Sequence, residues 1–260
     1  MAIVVFIMLD GLRSDAVTPE HCPNLVAVMQ RGASALRAAS IMPTITLPCH
    51  MSIFHSVPPA RHGVTTNTWS PMARPLPGLV DVARVAGKRC AFIYNWEPLR
   101  NLNQPGALWL AHFRDTSYDR DGDEWVAADA ERLIPTVKPD FSFIYLGTVD
   151  TAGHSRGWMS AEYLAQVKAV DHLMQTILDA LPAESAVLIH ADHGGHDRNH
   201  GTDVPEDMTI PWVIAGPGIR RGHIVQSPVS LLDTAPTLAR LLKLEPHSEW
   251  EGRCVEEVFE

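Results

Sequence analysis

Cysteine is scarce in this 260-residue sequence, which contains four cysteines and no C-x-x-C pair. The four positions, Cys22, Cys49, Cys90 and Cys254, are widely separated. Single, scattered cysteines in a chain of this length are typical of reduced thiols rather than of a disulfide framework. We therefore expect a reducing compartment and a cytoplasmic location.

Positive charge is also scarce, because 21 lysines and arginines face 30 aspartates and glutamates, which gives a net charge of -9. Nucleic acid polymers and anionic membrane surfaces are bound by basic faces, so we expect neither as a partner. An anionic substrate would need a strong local positive charge to overcome this field. Bound metal ions could supply that charge.

Long apolar runs are missing as well. The N-terminal stretch MAIVVFIML has nine residues, without a basic leader or a small-residue cleavage site, so we do not expect a signal peptide. No window approaches the ~18 apolar residues of a membrane span. Neither an internal repeat nor a low-complexity tract is found, and the length suits a single domain over residues 1–260.

What the sequence does contain is an alternation of short apolar runs and helical patterns. Continuous apolar runs suit strands that are buried on both faces, as in a parallel sheet. The predicted strands are 2–9, 90–94, 141–149 and 186–191, and the predicted helices are 22–32, 76–87, 124–134, 160–181 and 230–244. This alternation predicts an α/β fold with a mostly parallel central sheet and helices on both faces. Residues 97–123 and 194–209 are predicted to be long loops.

Aspartates follow three of the predicted strands, at Asp10, Asp150 and Asp192. Open α/β sheets bind ligands at the carboxyl ends of their strands, so we expect these side chains to meet at one edge. His154 lies four residues after Asp150, and His193 directly follows Asp192. One strand-end aspartate often only caps the next helix. Three of them, two with a histidine close behind, favour a site for zinc or a similar divalent ion.

The stretch HADHGGHDRNHG (190–201) contributes further histidines. Its Gly194-Gly195 pair lets the chain turn, so that the two preceding side chains can converge. His200 is a candidate metal ligand in the following loop. His190 lies within the predicted strand and is interpreted as a core histidine or one that supports a ligand. For His196 three interpretations stay open: support of a ligand, contact with substrate, or simple solvation.

Thr46 is the candidate nucleophile. It precedes Leu47-Pro48 and the apolar run CHMSIFHS, and threonine at a cap with proline in the first turn is a common start of a helix. The simplest interpretation is therefore an N-cap. The same position places a hydroxyl in the positive field of a helix N-terminus, where metal contact would lower its pKa further. Thr44 lies on the approach to the helix rather than at its cap.

Six motifs in this order resemble the alkaline phosphatase superfamily, specifically its nucleotide pyrophosphatase/phosphodiesterase (type I phosphodiesterase) branch. They are MLDGLRSD (8–15), PTITLPCHMSI (43–53), RHGVTTN (61–67), GTVDTAGH (147–154), ADHGGH (191–196) and NHGTDVPEDMTIPWVIAGPG (199–218). The motifs span most of the chain. The resemblance implies an alkaline phosphatase-like fold and a small-molecule phosphate ester as substrate, most readily a phosphodiester or a nucleotide pyrophosphate.

The resemblance also implies a two-metal site, with zinc or alternatively manganese. By motif position, Asp150, His154 and His200 would hold one ion, and Asp10, Thr46, Asp192 and His193 would hold the other. Thr46 would be the nucleophile, passing through a phosphothreonine intermediate, and the amide of Asn67 would help to hold a phosphoryl oxygen. The sequence departs from many relatives at Cys49, where they have asparagine, which could alter the packing beneath Thr46.

Other functions stay open at this point. A phosphomonoesterase or a phosphonate hydrolase would use the same site, and Arg198 could supply the positive charge that a monoester needs. Trp69, Trp96 and Tyr118 could stack an aryl or nucleoside group or simply close the core. The alternative of another class is a non-catalytic protein that binds metal or anions. A sulfatase is disfavoured, because the residues after Thr46 do not form its nucleophile pattern.

Overall fold

The computed structural model describes residues 3–104 and 106–260, and the strands within these ranges form one sheet. The eight strands are β1 (Val4–Leu9), β2 (Ala33–Ala39), β3 (Cys90–Tyr94), β4 (Leu110–Phe113), β5 (Phe141–Leu146), β6 (Ala186–His190), β7 (Thr209–Ala215) and β8 (His223–Ile224). Their order across the sheet is β4-β3-β5-β1-β6-β7-β2-β8. Only β7 runs antiparallel to its two neighbours, so the predicted, mostly parallel sheet is confirmed.

The helices are α1 (Pro23–Arg31), α2 (Thr46–His55), α3 (Pro59–His62), α4 (Leu79–Val85), α5 (Gly122–Val137), α6 (Thr148–Arg156), α7 (Ala161–Asp179), α8 (Pro205–Met208) and α9 (Thr234–Leu241). Helices α1, α5 and α6 each pack on α7, while α3, α4 and α9 each pack on α2. Every residue of β1 and β5 is buried, as expected for strands covered by helices on both faces. No helix of the described part of the chain is long and apolar enough to cross a membrane.

The five predicted helices all form, with ends that differ by a few residues. Helix α7 starts as expected after Ser160, whose hydroxyl accepts a hydrogen bond from the Tyr163 N–H at 3.2 Å. The predictions of long loops over residues 97–123 and 194–209 are partly wrong. The first contains a 3-10 helix (Glu97–Asn101) and the edge strand β4, and the second contains α8. Strands β2, β7 and β8 were not predicted. The sequence of β2, ASALRAA, lacks the β-branched residues that mark a strand.

The prediction for the segment before Asp150 is also wrong in one respect. The strand ends at Leu146, and Asp150 lies in the first turn of α6 rather than directly after a strand. The apolar run continues to Val149, which hides the change from strand to helix in the sequence. As a result, Asp150 and His154 occupy positions i and i+4 of one helix, which places their side chains on the same face.

The central strands bring the chain to one edge of the sheet at three points. Met8 of β1 pairs with Tyr145 of β5 and with His190 of β6, so the three strands end at the same level. Helix α2 is fixed against the sheet by Phe54, whose ring lies 5.0 Å from that of Phe143. Removing such a buried aromatic ring typically costs about 3–5 kcal/mol. This packing holds the helix that begins at Thr46 beside the same edge.

Candidate active site

Carboxylates and imidazoles converge in two groups at this edge of the sheet. The ligand atoms within each group lie within 4.8 Å of one another, and the groups are Asp10, Asp192 and His193, and Asp150, His154 and His200. In the first group, the His193 Nε2 lies 3.4 Å from the Asp10 Oδ1 and 3.4 Å from the Asp192 Oδ2. The structure thus brings together six of the seven predicted metal ligands.

The second group combines α6 with the loop after β6. The Asp150 Oδ1 lies 3.5 Å from the His154 Nε2 and 3.6 Å from the His200 Nε2. The two imidazole Nε2 atoms are 3.0 Å apart. The two groups adjoin each other, because the rings of His193 and His200 stack with centroids 3.8 Å apart.

Thr46, the seventh predicted ligand, lies beside the first group. Its Oγ1 is 3.3 Å from the His193 Nε2, and the side chain is almost fully buried. Thr46 is the first residue of α2, and Ile45 occupies the cap, so the predicted cap lies one residue too late. The Thr44 hydroxyl donates to the Thr202 carbonyl at 2.9 Å and accepts from the Gly201 N–H at 3.0 Å. Through these two hydrogen bonds, Thr44 holds the loop that carries His200 against the start of α2.

The three histidines are oriented by hydrogen bonds on their far sides. The Nδ1 atoms of His154, His193 and His200 lie 3.0, 2.8 and 2.6 Å from the carbonyl oxygens of residues 198, 194 and 44. Because a carbonyl only accepts, each Nδ1 donates, and a neutral ring then has a bare lone pair at Nε2. All three Nε2 atoms point into the two groups. This is the usual arrangement of histidines that bind a metal.

The carboxylates also have free acceptors. The Oδ1 of Asp10, the Oδ1 of Asp150 and the Oδ2 of Asp192 are buried without a hydrogen-bond partner. Leaving a buried charged oxygen unpaired is costly. In a tetrahedral zinc site with bonds of about 2.0–2.1 Å, neighbouring ligand atoms lie about 3.3 Å apart. The separations here are close to this value, so the donor set fits divalent cations.

Electrostatics support the same conclusion. Burial raises the pKa of Asp10 well above its usual value, and the charges of Asp192 and Asp150 raise it further. Burial also raises the pKa of Asp150. For Asp192, burial is outweighed by His193 and other partners, and its pKa is lowered. Burial lowers the pKa of His200 to about 3, so this ring is neutral. A bound cation would offset the electrostatic repulsion between these crowded carboxylates, which the neutral imidazole does not offset.

Asn67 lies next to the candidate nucleophile. Its Oδ1 accepts a hydrogen bond from the Leu47 N–H at 2.9 Å, one residue after Thr46. Because this contact uses the amide oxygen, the Nδ2 protons remain available to an oxyanion beside Thr46.

The Cys49 thiol is hydrogen-bonded to groups before and beneath α2. Its Sγ lies 3.5 Å from the Ser40 Oγ, which in turn donates to the Asp192 carbonyl. Burial raises the pKa of the Cys49 thiol, so the side chain stays protonated. Cys49 therefore packs beneath the turn that carries Asp192 and His193.

Two buried aspartates support the site and were not predicted from the sequence. Asp123 accepts hydrogen bonds from the Gly147 and Thr148 N–H groups at 2.9 and 3.0 Å, at the start of the helix that carries Asp150. Asp207 accepts from the His196 Nδ1 at 2.7 Å and from the Thr202 N–H at 2.9 Å. This contact joins His196 to α8, and its role among the three interpretations stays a prediction. No local pattern marks Asp123, because its partners lie in another segment, whereas Asp207 lies within the motif of residues 199–218 without standing out from its other acidic residues.

The aromatic candidates at the rim differ in their surroundings. Trp96 is buried and stacks on Tyr145, whose hydroxyl donates to the Asp10 Oδ2. Trp96 therefore closes the core, and Tyr145 is a further site residue that the sequence did not reveal. Tyr118 is exposed and accepts from the Trp96 Nε1 at 3.3 Å, and Trp69 is 41% exposed. His190 is fully buried against Phe6, as its core interpretation predicts.

The family model of type I phosphodiesterases and nucleotide pyrophosphatases matches residues 4–208, a range that contains every site residue described above. The chain belongs to the type I phosphodiesterase/nucleotide pyrophosphatase family. This membership confirms the resemblance seen in the motifs. A family relative is an uncharacterized pyrophosphatase/phosphodiesterase of Schizosaccharomyces pombe, 23% identical over 74% of this chain and 44% of its own length. The chain spans less than half the length of the curated relatives it matches.

Solved structures confirm the alkaline phosphatase-like fold of this type I phosphodiesterase family member. Murine ectonucleotide pyrophosphatase/phosphodiesterase 5 superposes with a TM-score of 0.81 at 15% identity, over 100% of both chains. The phosphonate monoester hydrolase of Agrobacterium radiobacter superposes with a TM-score of 0.78 at 16% identity, over 98% of this chain and 76% of its own.

Proposed function

We propose that this protein is a two-metal hydrolase that cleaves phosphate esters, with phosphodiesters or nucleotide pyrophosphates as substrates and Thr46 as nucleophile. The observation that carries the proposal is the contact of 3.3 Å between the Thr46 Oγ1 and the His193 Nε2, beside two groups of free ligand atoms. Family membership supports hydrolysis of phosphate esters. A small phosphate ester is the expected partner.

The residues that would hold the ions are those of the two groups. Asp10, Asp192 and His193, together with Thr46, would bind one cation, and Asp150, His154 and His200 would bind the other. When bound, two zinc ions, or manganese in their place, would neutralise the phosphoryl charge and lower the pKa of the attacking and leaving oxygens.

Thr46 would attack phosphorus through its Oγ1. The bond from Oγ1 to phosphorus forms as the bond from phosphorus to the leaving oxygen breaks. In balance, the proton that the Thr46 hydroxyl loses is taken up by the departing oxygen, and the phosphoryl group stays on Thr46 with its other substituent. Water then cleaves this phosphothreonine and restores the hydroxyl. The field at the N-terminus of α2 and the Nδ2 protons of Asn67 would stabilise the charge on the phosphoryl oxygens.

The arginines within the motifs favour a diester over a monoester. Arg13 is paired with Asp15 at 2.6 Å, and Arg61 is paired with Glu251 at 2.7 Å. Both guanidinium groups are therefore already engaged by carboxylates, and of the three arginines in or beside the motifs Arg198 is left as the candidate to bind the additional charge of a monoester. Murine ectonucleotide pyrophosphatase/phosphodiesterase 5 has been solved as an inactive threonine-to-alanine variant in complex with AMP. That complex supports a nucleotide-type substrate. The structural similarity to the phosphonate monoester hydrolase makes a phosphonate ester the second candidate substrate.

The test compares wild type, Thr46→Ala and Thr46→Ser on an aryl phosphate diester and the matching monoester, in the presence of zinc. We expect the wild type to prefer the diester. At saturating zinc, where the aspartate and histidine ligands of the two groups should still hold both ions, Thr46→Ala should lower kcat at least about 10³-fold, and Thr46→Ser should keep part of the activity. Mass spectrometry of acid-quenched wild type should find the adduct on Thr46. A Thr46→Ala variant as active as wild type would contradict the nucleophile, and a wild type inactive on both esters would favour the non-catalytic binding protein.

A further inference from the structure

Trp158 lies between the loops that carry the candidate metal ligands, although none of the six motifs includes it. It follows Gly157, which closes α6 in the left-handed region with φ +96°, and it is only 6% exposed. Its N–H donates to the Asp197 carbonyl at 2.8 Å, and its Nε1–H donates to the Gly11 carbonyl at 2.9 Å. Through its backbone N–H and its side chain, this one residue therefore connects the segments that follow β1, β5 and β6.

Two glycines flank the indole. A Cβ at Gly153 would lie 2.4 Å from the Trp158 Cε2, and a Cβ at Gly195 would lie 2.3 Å from the same atom. The Cδ2–Cε2 bond is shared by the two fused rings, so a backbone can reach it only from above or below the ring plane. The two glycines therefore lie on opposite faces. This packing explains why both motifs, DTAGH and DHGG, have glycine there.

The edge of the indole also contacts the second ligand group. The ring of His154 lies 5.0 Å from that of Trp158 at 82°, and the ring of His200 lies 5.8 Å away at 69°. Both are edge-to-face contacts, a favourable geometry for aromatic pairs. With its Nδ1 held by a carbonyl and its ring packed against Trp158, each imidazole has its Nε2 direction fixed.

From these contacts we propose that Trp158 is a positioning residue that orients His154 and His200 for the metal ion of the second group. The inference rests on the proposed function only in requiring that the two groups bind metal. It assigns Trp158 a selective effect, because its ring packs against both imidazoles of the second group. Beside the first group the indole bonds to the Gly11 carbonyl, which also accepts a hydrogen bond from the Tyr163 hydroxyl and so keeps a partner when the indole is removed. Loss of the indole should weaken one ion and leave the other in place.

Trp250 offers a matched control for removing a buried indole. It is 9% exposed, and its Nε1–H donates to the Pro77 carbonyl at 2.9 Å. The size, burial and hydrogen bond of Trp250 therefore resemble those of Trp158. Since Trp250 contacts neither ligand group through these atoms, Trp250→Phe reports the general cost of such a change.

The experiment measures zinc stoichiometry and affinity by chelator competition in wild type, Trp158→Leu, Trp158→Phe and Trp250→Phe, with circular dichroism as the test of folding. We expect two zinc ions in wild type and in Trp250→Phe. In Trp158→Leu one ion should bind about 10–100-fold more weakly, the usual effect of losing a group that orients a ligand. Trp158→Phe, which keeps an aromatic edge, should lie between. If Trp158→Leu does not fold, the zinc affinity of Trp158→Phe tests the positioning role of Trp158.

The outcomes separate the inference from the function on which it rests. A wild type that binds no zinc contradicts the proposed two-metal site. A wild type with two ions and Trp158 variants with unchanged affinities, or with both ions weakened equally, overturns the role of Trp158 alone.

Discussion

The imidazole Nε2 atoms of His154 and His200 face each other at 3.0 Å, and the Nδ1 atom of each ring lies against a backbone carbonyl. In two neutral rings, these Nε2 atoms are both acceptors, and two acceptors at this distance repel each other. A cation bound by both nitrogens turns the repulsion into attraction. The unpaired Oδ1 of Asp150 lies beside the same point.

Removal of metal should therefore abolish activity. We expect a chelator-treated sample to be inactive towards an aryl phosphate diester, and zinc or manganese to restore turnover. Calcium should not, because it prefers more ligands and all-oxygen sites. Binding of zinc should also raise the free energy of unfolding by about 2.7 kcal/mol per site at 100-fold excess over Kd. Full activity in a sample shown by metal analysis to be metal-free would refute the site.

Replacement of Asn67 should affect the transition state. Asn67→Ala removes the donors beside Thr46 and should lower kcat about 10²-fold. Asn67→Asp is the sharper variant, because it keeps an acceptor for the Leu47 N–H while it removes the amide donors and adds negative charge. It should be at least as impaired as Asn67→Ala in steady-state assays. If Asn67→Asp kept the wild-type kcat, Asn67 would serve only to accept the hydrogen bond from the Leu47 N–H and would not stabilise the transition state.

Asp207 should stabilise the loop that carries His200. Asp207→Ala leaves the Thr202 N–H and the His196 Nδ1–H without their acceptor, so we expect the free energy of unfolding to fall by about 1–3 kcal/mol, with lower activity. Asp203→Ala is the matched control, since Asp203 is an exposed acidic residue of the same loop. Urea unfolding measures both variants. Equal stability of the two would contradict this role.

His62 should make stability depend on pH. Its Nδ1 accepts from the Val64 N–H at 3.1 Å, and burial lowers its pKa from 6.5 to about 4. The unfolded chain thus takes up the proton below about pH 6.5, whereas the folded protein does so only near pH 4. The contribution of His62 to the free energy of unfolding is therefore fully present above pH 6.5. It falls by roughly 2–4 kcal/mol as the pH drops to 4.

The variant His62→Gln isolates this contribution, because the other titrating groups are common to both proteins. The difference in unfolding free energy between wild type and His62→Gln should shrink between pH 7 and pH 4. A difference that stays constant over that range would show that His62 does not titrate in this way.

Much of the fold could be predicted because the central strands are predominantly apolar and buried. Strands β1, β3, β5 and β6 are rich in β-branched and aromatic residues, and they were all expected. The alanine-rich β2 carries no such signal and depends on pairing with β7. The cytoplasmic location and the single domain stay predictions.

The sequence by itself determined which residue types are available at the site: three aspartates, three histidines, a threonine and an asparagine in recognisable motifs. Only the tertiary structure decided how these side chains are positioned and oriented relative to one another. The Tyr145 hydroxyl donates to Asp10, Asp123 accepts from the N–H groups at the start of α6, and Trp158 packs between a glycine of α6 and a glycine of the loop after β6. These contacts join segments that lie far apart in the chain. Their geometry is set by the register of the strands and the packing of the helices, which no local pattern of residues encodes.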